Sequence, residues 1–216
     1  MGSLSFSAVI FDCDGVLVDS ELLAAPILAH TLTELGLPTT PEDIDRDFKG
    51  RSWAHGLAVI EARLGHPPWP DLRERYRERL FAAFDEHLEP VAGIAAALDA
   101  IALPCCVASS GDHERIRRGL AAGGLLDLFD DAAIFSVDDV AQGKPAPDLF
   151  LHAAARMGFD PAATAIVEDS PAGAQAGRAA GMRVFGYAER TPAEQLRAAG
   201  ATPFTRMAEL PSLLAA

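Results

Sequence analysis

Two aspartates stand one residue apart, directly after a short apolar segment near the start of the chain. Asp12 and Asp14 follow the run SAVIF, and Gly15, which can turn sharply because it lacks a Cβ atom, comes next. Side chains alternate along an extended chain, so both carboxylates point to one side and Cys13 points to the other. Such a pair repels unless a cation or a proton lies between the two groups. Taken alone, the stretch fits either a cation site or an acidic turn.

Further polar residues stand after predicted strands or in the loops that follow them. Ser109 follows the run PCCVA, Lys144 lies in the segment GKPAPD, and Glu168 and Asp169 follow the run TAIV. Together with the two aspartates, these residues place up to four carboxylates in one pocket. A cluster of carboxylates favours a hard cation, and Mg²⁺ suits one or two carboxylates together with a substrate phosphate.

The elements that must position these side chains alternate between strands and helices after residue 89. Strands are predicted over 6–11, 104–108, 133–136, 164–167, 183–186 and 203–205. Strands separated by helices of 10–12 residues predict an α/β fold with a Rossmann-like, doubly wound parallel sheet. Ligands bind outside the carboxyl ends of the strands in such sheets. The polar residues above are therefore expected to meet at one edge.

The segment 19–88 has a different pattern and predicts helices throughout. Leu28, Leu32 and Leu35 recur at helical spacing, and Thr40 and Ser52 are placed to cap the next two helices. This block interrupts the sheet after its first strand. We therefore expect an all-helical cap (19–88) inserted into an α/β catalytic core (1–18 and 89–216).

Composition restricts the class of protein. The chain has 216 residues and a net charge of −13, which argues against a nucleic-acid partner. No apolar run approaches about 20 residues, so no membrane span is predicted, and the N-terminus shows no signal-peptide pattern. Cysteines occur only at Cys13, Cys105 and Cys106, an odd count typical of a reducing compartment. A cytoplasmic protein is expected.

Four motifs, DCDGVLVDS, VASS, GKPAPD and VEDS, occur in this order along the chain. Together they resemble the motifs of the haloacid dehalogenase superfamily, in particular its phosphatase and phosphoglucomutase branch with a small helical cap. The resemblance covers essentially the whole chain and implies an aspartyl-phosphate mechanism. Asp12 would attack phosphorus as the nucleophile. Asp14 would protonate the leaving alcohol and then activate the water that hydrolyses the intermediate.

The resemblance also implies a Mg²⁺ cofactor and its ligands. The carboxylates of Asp12 and Asp169 and the backbone carbonyl of Asp14 would bind the metal. Glu168 would be a further ligand or would orient metal-bound water.

A phosphate-binding role is implied for three more residues. Ser109 and the backbone of Ser110 would hold phosphate oxygens, and Lys144 would neutralise charge on Asp12 and on the phosphoryl group. These roles suit phosphoryl transfer, which depends mostly on positioning and charge stabilisation. A carboxylate can approach a phosphate dianion only where cations offset the repulsion.

Several alternatives remain within and outside this resemblance. Dehalogenases lack the second aspartate and the metal, so the acidic residues argue against that activity. Sugar-phosphate mutases carry a histidine on the first cap helix and an arginine after the K-G-x-S turn, where this chain has Ala24 and Trp53. Both differences favour hydrolysis. A phosphonate hydrolase would use a cap lysine, and an inactive binding protein would not need the intact set of catalytic residues.

The substrate is expected to contact the cap. The form DCDGVLVDSE most resembles phosphatases of phosphorylated sugars, sugar acids or polyols. Lys49 and Arg51 flank Gly50 in a basic turn of the cap, and we expect both cations to bind a small phosphorylated metabolite. The protein is expected to act as a monomer or a small homo-oligomer.

Overall fold

Six strands form the sheet of the computed structural model, which describes residues 6–215. They are β1 (Ala8–Phe11), β2 (Cys105–Ser109), β3 (Ile134–Ser136), β4 (Thr164–Glu168), β5 (Arg183–Tyr187) and β6 (Thr202–Phe204). All neighbouring strands are parallel, in the order β3-β2-β1-β4-β5-β6. The chain winds outward from β1 to β3 and then crosses to β4 on the other side of β1. The predicted doubly wound sheet is confirmed, and its winding reverses between β1 and β4.

Both faces of the sheet are buried, because side chains alternate along each strand. In β1, Val9 and Phe11 belong to one apolar cluster and Ile10 belongs to a second. In β4, Val167 joins the first cluster and Ile166 the second. Continuous apolar strands with helices on both faces are typical of a parallel sheet. This arrangement leaves the ends of the strands as the place for polar chemistry.

Ten α-helices complete the fold over the described residues. Those inserted between β1 and the rest of the core are α1 (Glu21–Glu34), α2 (Pro41–Phe48), α3 (Trp53–Leu64) and α4 (Leu72–His87). Those of the core are α5 (Ile94–Ala100), α6 (His113–Ala122), α7 (Asp148–Met157), α8 (Pro171–Ala179), α9 (Ala193–Ala198) and α10 (Leu210–Leu214). The insertion is helical, as the sequence predicts. Residues 1–5 and 216 of the predicted core lie outside the described residues.

The helix boundaries of the insertion follow from local hydrogen bonding. The Thr40 hydroxyl accepts from the Asp43 amide, and the Asp43 carboxylate accepts from the Thr40 amide, which makes a capping box. Ser52 caps α3 by accepting from the His55 amide, and Gly65 ends that helix in the left-handed region. Both predicted N-caps are therefore confirmed.

The two segments that join the insertion to the core lie side by side. The Asp19 amide donates to the Glu89 carbonyl at 3.0 Å, and the Val91 amide donates to the Leu17 carbonyl at 3.0 Å. Apolar side chains of the helical insertion belong to the same cluster as one face of the sheet. The insertion is therefore packed onto the core as well as tethered to it.

The last two predicted elements differ from the structure in detail. The helix predicted over 207–214 begins as a 3₁₀ turn (Met207–Glu209) and continues as α10. The predicted edge strand begins one residue earlier, at Thr202. Within the described residues, no helix is both long enough and apolar enough to cross a membrane.

Candidate active site

The carboxyl ends of β1 and β4 bring the acidic residues together. Phe11, the last residue of β1, pairs with Val167 of β4. Asp12, directly after β1, therefore lies beside Glu168, the last residue of β4, and Asp169, which follows it. The site lies where the winding of the sheet reverses, as expected for a ligand site of this fold.

Lys144 joins three strands of the sheet through its ammonium group. Its Nζ lies 2.9 Å from Asp12 Oδ1, 2.9 Å from Glu168 Oε1 and 3.2 Å from the carbonyl oxygen of Ala108. The three N–H donors thus have three acceptors. Burial lowers the pKa of Lys144, but the charges of Asp12 and Glu168 outweigh burial and raise the pKa above its ordinary value. The lysine is a fixed positive charge beside Asp12.

The carboxylates of Asp12, Glu168 and Asp169 form a buried acidic cluster. Each offers an oxygen, and these oxygens all lie within 4.8 Å of one another. Burial raises the pKa of Asp12 well above its ordinary value, against the opposing charge of Lys144. Burial and the charge of Glu21 raise the pKa of Asp169 in the same way. Lys144 and Lys49 bring two positive charges to these three carboxylates, and Lys49 is shared with Glu21.

This cluster fits a hard divalent cation. Its donors are carboxylate oxygens, without sulfur or imidazole ligands, and its three carboxylates outnumber the two lysines that pair with them. Glu168 is the most constrained of the three carboxylates. Its Oε1 binds Lys144, and its Oε2 accepts from the amide and the hydroxyl of Ser170 at 2.6 and 2.9 Å. Asp12 and Asp169 are better placed to give oxygens to a metal, and Glu168 to orient that site.

Two glycines leave the space in which the acidic side chains lie. A Cβ atom on Gly15, whose φ is +75°, would stand 2.4 Å from Asp169 Oδ2. A Cβ atom on Gly173 would stand 1.6 Å from Glu168 Oε1. The turn after Asp14 therefore packs directly against the Asp169 carboxylate, which brings the backbone of that turn to the acidic cluster.

The side chain of Asp14 takes part in a different network. Its Oδ1 accepts from Arg115 Nη2 at 2.9 Å and also from the hydroxyl of Ser20. Burial would raise the pKa of Asp14, but the charge and hydrogen bond of Arg115, with the bond from Ser20, lower it below its ordinary value. The two aspartates of the first motif therefore have opposite electrostatic surroundings.

Ser109, the last residue of β2, and Ser110, which follows it, lie at the same end of the sheet. Ser109 is buried, and its hydroxyl accepts from the amide of Gly111 at 3.1 Å. The hydroxyl of Ser110 donates to the carbonyl of Gly50, in the helical insertion, at 3.1 Å. Ser109 thus shapes the turn after β2, while Ser110 links that turn to the insertion.

The basic turn of the insertion reaches the acidic cluster. Lys49 Nζ lies 2.8 Å from Asp169 Oδ2 and also pairs with Glu21. Gly50 comes so close to the core that a Cβ atom on it would stand 2.1 Å from the hydroxyl oxygen of Ser170. Arg51 lines the cavity between the insertion and the sheet edge. The turn therefore lies at the site, with Lys49 directed to carboxylates and Arg51 at the cavity wall.

The cavity extends from the acidic residues to the inner surface of the insertion. Its walls include Ala24 and Trp53, the two positions at which this chain differs from the sugar-phosphate mutases. Trp53 stacks on Tyr76, with ring centroids 5.4 Å apart and planes 4° apart. The cavity thus joins an anionic end, at the sheet, to an aromatic and basic end.

Arg115 is a site residue that the sequence reasoning missed. It lies in the first turn of α6, three residues after the N-cap Asp112, whose carboxylate accepts from the Arg115 amide at 2.9 Å. Its guanidinium bridges Asp14 and the hydroxyl of Tyr76, the latter at 3.3 Å. The available signal was its position in the helix that starts immediately after the serine motif. Neither contact can be read from sequence spacing.

Comparison with known proteins agrees with this geometry. Residues 9–187 match the family model of the haloacid dehalogenase-like hydrolases. A 6-phosphogluconate phosphatase of Escherichia coli K12 is 34% identical, over 95% of this chain and 93% of its own. A phosphorylated carbohydrates phosphatase of Thermotoga maritima is 30% identical, over 96% and 97%. A conserved haloacid dehalogenase-like protein of Agrobacterium tumefaciens superposes with a TM-score of 0.81 at 36% identity, over 97% of this chain and 98% of the other.

The chain therefore belongs to the haloacid dehalogenase-like hydrolases. Within that family, its phosphatase relatives define it as a phosphoric monoester hydrolase. The family resemblance expected from the four sequence motifs is confirmed.

Proposed function

We propose that this protein is a Mg²⁺-dependent phosphatase that hydrolyses a small phosphorylated sugar, sugar acid or polyol through an aspartyl-phosphate on Asp12. The observation that carries the proposal is the convergence of Asp12, Glu168, Asp169 and Lys144 at the switch point of the sheet. Three buried carboxylates and one buried ammonium suit the binding of a cation together with a phosphate. Bound there, Mg²⁺ would offset the negative charge of the phosphoryl group.

In the first step, Asp12 attacks phosphorus. Its Oδ1 is occupied by Lys144 and by the amide of Cys13, at 2.9 and 2.8 Å, which leaves Oδ2 to form the new bond. The bond between phosphorus and the leaving oxygen breaks, and Asp14 supplies a proton to that oxygen. Lys144 stabilises charge on Asp12 and on the phosphoryl group, and Ser109 and the backbone of Ser110 hold phosphate oxygens.

In the second step, water displaces Asp12 from phosphorus. Asp14, now a carboxylate, accepts a proton from the attacking water, and the electron pair of the broken bond returns to Asp12. Covalent catalysis thus divides one difficult displacement into two easier ones. The products are inorganic phosphate and the enzyme in its starting state.

Sugar phosphates and related compounds are the proposed substrates. The relatives named above are a 6-phosphogluconate phosphatase and a phosphorylated carbohydrates phosphatase. The cavity of this chain has the cations and donors that a polyhydroxylated anion would require, including Arg51 and Trp53. The residues 19–88 would act as the cap that sets specificity.

A panel of phosphorylated metabolites tests this proposal. Purified protein is supplied with Mg²⁺, and phosphate release is measured for sugar phosphates, sugar-acid phosphates, polyol phosphates and p-nitrophenyl phosphate. We expect release that needs Mg²⁺ and stops with EDTA, fastest on one of the first three classes. Undiminished release in EDTA would contradict the metal requirement.

The same panel addresses the mutase alternative. Ala24 offers no side chain that could carry a proton in the place of a mutase histidine. A hexose 1-phosphate should therefore give free sugar and phosphate. Accumulation of hexose 6-phosphate in the presence of a bisphosphate activator would instead show mutase activity.

A further inference from the structure

The two groups that donate hydrogen bonds to the Asp14 side chain both donate to the same oxygen. Arg115 Nη2 donates to Oδ1 at 2.9 Å, and the Ser20 hydroxyl donates to that oxygen as well. No hydrogen bond among the described residues involves Oδ2. The carboxylate is therefore fixed through one oxygen, while the other is left for a reacting proton.

The guanidinium that fixes Asp14 is itself held from several sides. Its Nη1 donates to the hydroxyl of Tyr76 at 3.3 Å, and its carbon lies 5.9 Å from the centre of the Phe84 ring. Gly111 lies close to its aliphatic stem, since a Cβ atom there would stand 3.2 Å from Arg115 Cδ. The Asp112 cap fixes the backbone of Arg115. These contacts restrict the orientations available to the arginine.

The contacts of Arg115 come from both parts of the molecule. Asp14 and Gly111 belong to the core, whereas Tyr76 and Phe84 lie on α4 of the insertion. The Nε atom of Arg115 is buried and has no hydrogen-bond partner in the part of the chain described. The forked guanidinium group therefore makes its hydrogen bonds through its two terminal nitrogens, Nη1 and Nη2. A planar fork can hold two acceptors in a fixed relation, which an ammonium group cannot do.

We propose that Arg115 is a positioning residue that orients Asp14 for the second step, in which Asp14 accepts the proton of the attacking water. The inference rests on the proposed phosphatase function. Arg115 holds Oδ1, so that Oδ2 faces the water; water oxygen then bonds to phosphorus as its proton moves to Oδ2 and the bond to Asp12 breaks. Arg115 itself touches no reacting atom.

Loss of this orientation should slow the second step more than the first. Misplacement of a reacting group by about 1 Å can cost about 10²-fold in rate. With p-nitrophenyl phosphate the leaving group departs without protonation, so the first step depends little on Asp14. Arg115→Met should therefore accumulate the covalent phosphoenzyme on this substrate, and its steady-state rate should fall about 10–100-fold.

Rapid-quench measurements with ³²P-labelled p-nitrophenyl phosphate and Mg²⁺ test the inference. The labelled fraction of the enzyme reports phosphoenzyme, and the nitrophenol burst reports the first step and the number of active sites. For Arg115→Met we expect a full burst, a high labelled fraction and slow turnover. Arg115→Lys should recover part of the second-step rate, because it keeps a cation but loses the fork. Tyr76→Phe, which keeps the bond from Arg115 to Asp14, should lose less than Arg115→Met.

Arg117→Met is the matched control. Arg117 lies on the same helix and donates to Asp131 at 2.7 Å. Its replacement by methionine removes the same charge as Arg115→Met. Arg117 is not among the residues that line the cavity. Its burst, labelled fraction and turnover should match those of the unchanged protein.

The outcomes separate the inference from the proposed function. Asp14→Asn removes the base outright and should trap the phosphoenzyme. If neither the unchanged protein nor Asp14→Asn is labelled, the aspartyl-phosphate mechanism is wrong. If Asp14→Asn is labelled and Arg115→Met is not, or if Arg115→Met slows both steps equally, Arg115 does not act through the orientation of Asp14.

Discussion

Asp12 and Asp14 show how two chemically equal carboxyl groups acquire different electrostatic surroundings. Asp12 is buried beside Glu168 and Asp169, and burial with these charges raises its pKa in spite of Lys144. For Asp14, the bonds from Arg115 and Ser20 overcome burial and lower the pKa. The first group is suited to sharing a cation and a phosphoryl group. The lowered pKa of the second favours its carboxylate form, which is the form that accepts a proton in the proposed second step.

The acidic cluster predicts how stability depends on metal and pH. The pKa values of Asp12 and Asp169 are raised in the folded state, mainly by burial. Their contribution to stability is therefore present at low pH and is lost as the pH rises through the folded-state pKa values. Mg²⁺ replaces the protons, so it should raise the Tm more at pH 8 than at pH 5. At a concentration of 100 times Kd, the gain is about 2.7 kcal/mol.

Thermal unfolding with Mg²⁺ or EDTA at the two pH values measures this effect. Asp169→Asn should abolish most of the Mg²⁺-dependent shift. Asp99→Asn, an exposed residue of α5 with the same change in charge, should keep it. An equal Mg²⁺ shift at both pH values would contradict competition between protons and metal at the cluster.

At the scale of elements, the turn before α3 is shaped by the core that it touches. Gly50 has a φ of +70°, and a Cβ atom on it would stand 2.1 Å from the hydroxyl oxygen of Ser170. Its carbonyl accepts from Ser110, and its neighbour Lys49 pairs with Asp169. Glycine is required here for both backbone conformation and close approach. This turn joins the insertion to the end of the sheet at which the candidate active site lies.

Gly50→Ala should therefore impair activity beyond its effect on folding. Gly65→Ala is the matched control, because Gly65 has a φ of +74° and no atom within 4 Å of its Cβ position. Because alanine is strained in the left-handed region, each substitution should lower the free energy of unfolding by about 1–2 kcal/mol. The collision with Ser170 should also lower kcat/KM of Gly50→Ala about tenfold or more, since about 10²-fold can follow a 1 Å displacement.

Urea unfolding and steady-state kinetics on the best substrate of the panel distinguish the two effects. We expect both variants to lose stability and only Gly50→Ala to lose activity. Equal kcat/KM values for the two variants would show that the close approach of the turn is not needed for catalysis.

Most of the elements followed from local sequence patterns. The strands, the insertion and the caps at Thr40 and Ser52 depend on periodicity and on hydrogen bonds between near neighbours. The strand order also follows a common rule for doubly wound sheets. The last helix differed from its prediction, since its first turn is 3₁₀. Ends of helices are set by competing hydrogen bonds that the apolar pattern does not report.

At the scale of the whole molecule, the candidate active site is assembled by contacts between distant parts of the chain. Four sequence motifs were sufficient to predict the acidic cluster and Lys144, because parallel strands deliver their carboxyl ends to one edge. Arg115 was not predictable in this way. Its partners Asp14 and Tyr76 are far from it in sequence, and one lies in the insertion. Such contacts depend on how the insertion packs onto the sheet.

The central claim is that Asp12 carries the phosphoryl group during turnover. Rapid-quench labelling with the preferred ³²P-labelled substrate, followed by peptide mapping of the trapped protein, tests it most directly. We predict Mg²⁺-dependent label on the peptide that contains Asp12, and no label or turnover in Asp12→Asn. Turnover by Asp12→Asn near that of the unchanged protein, with no labelled peptide in either, would contradict the covalent mechanism and show that water attacks the substrate directly.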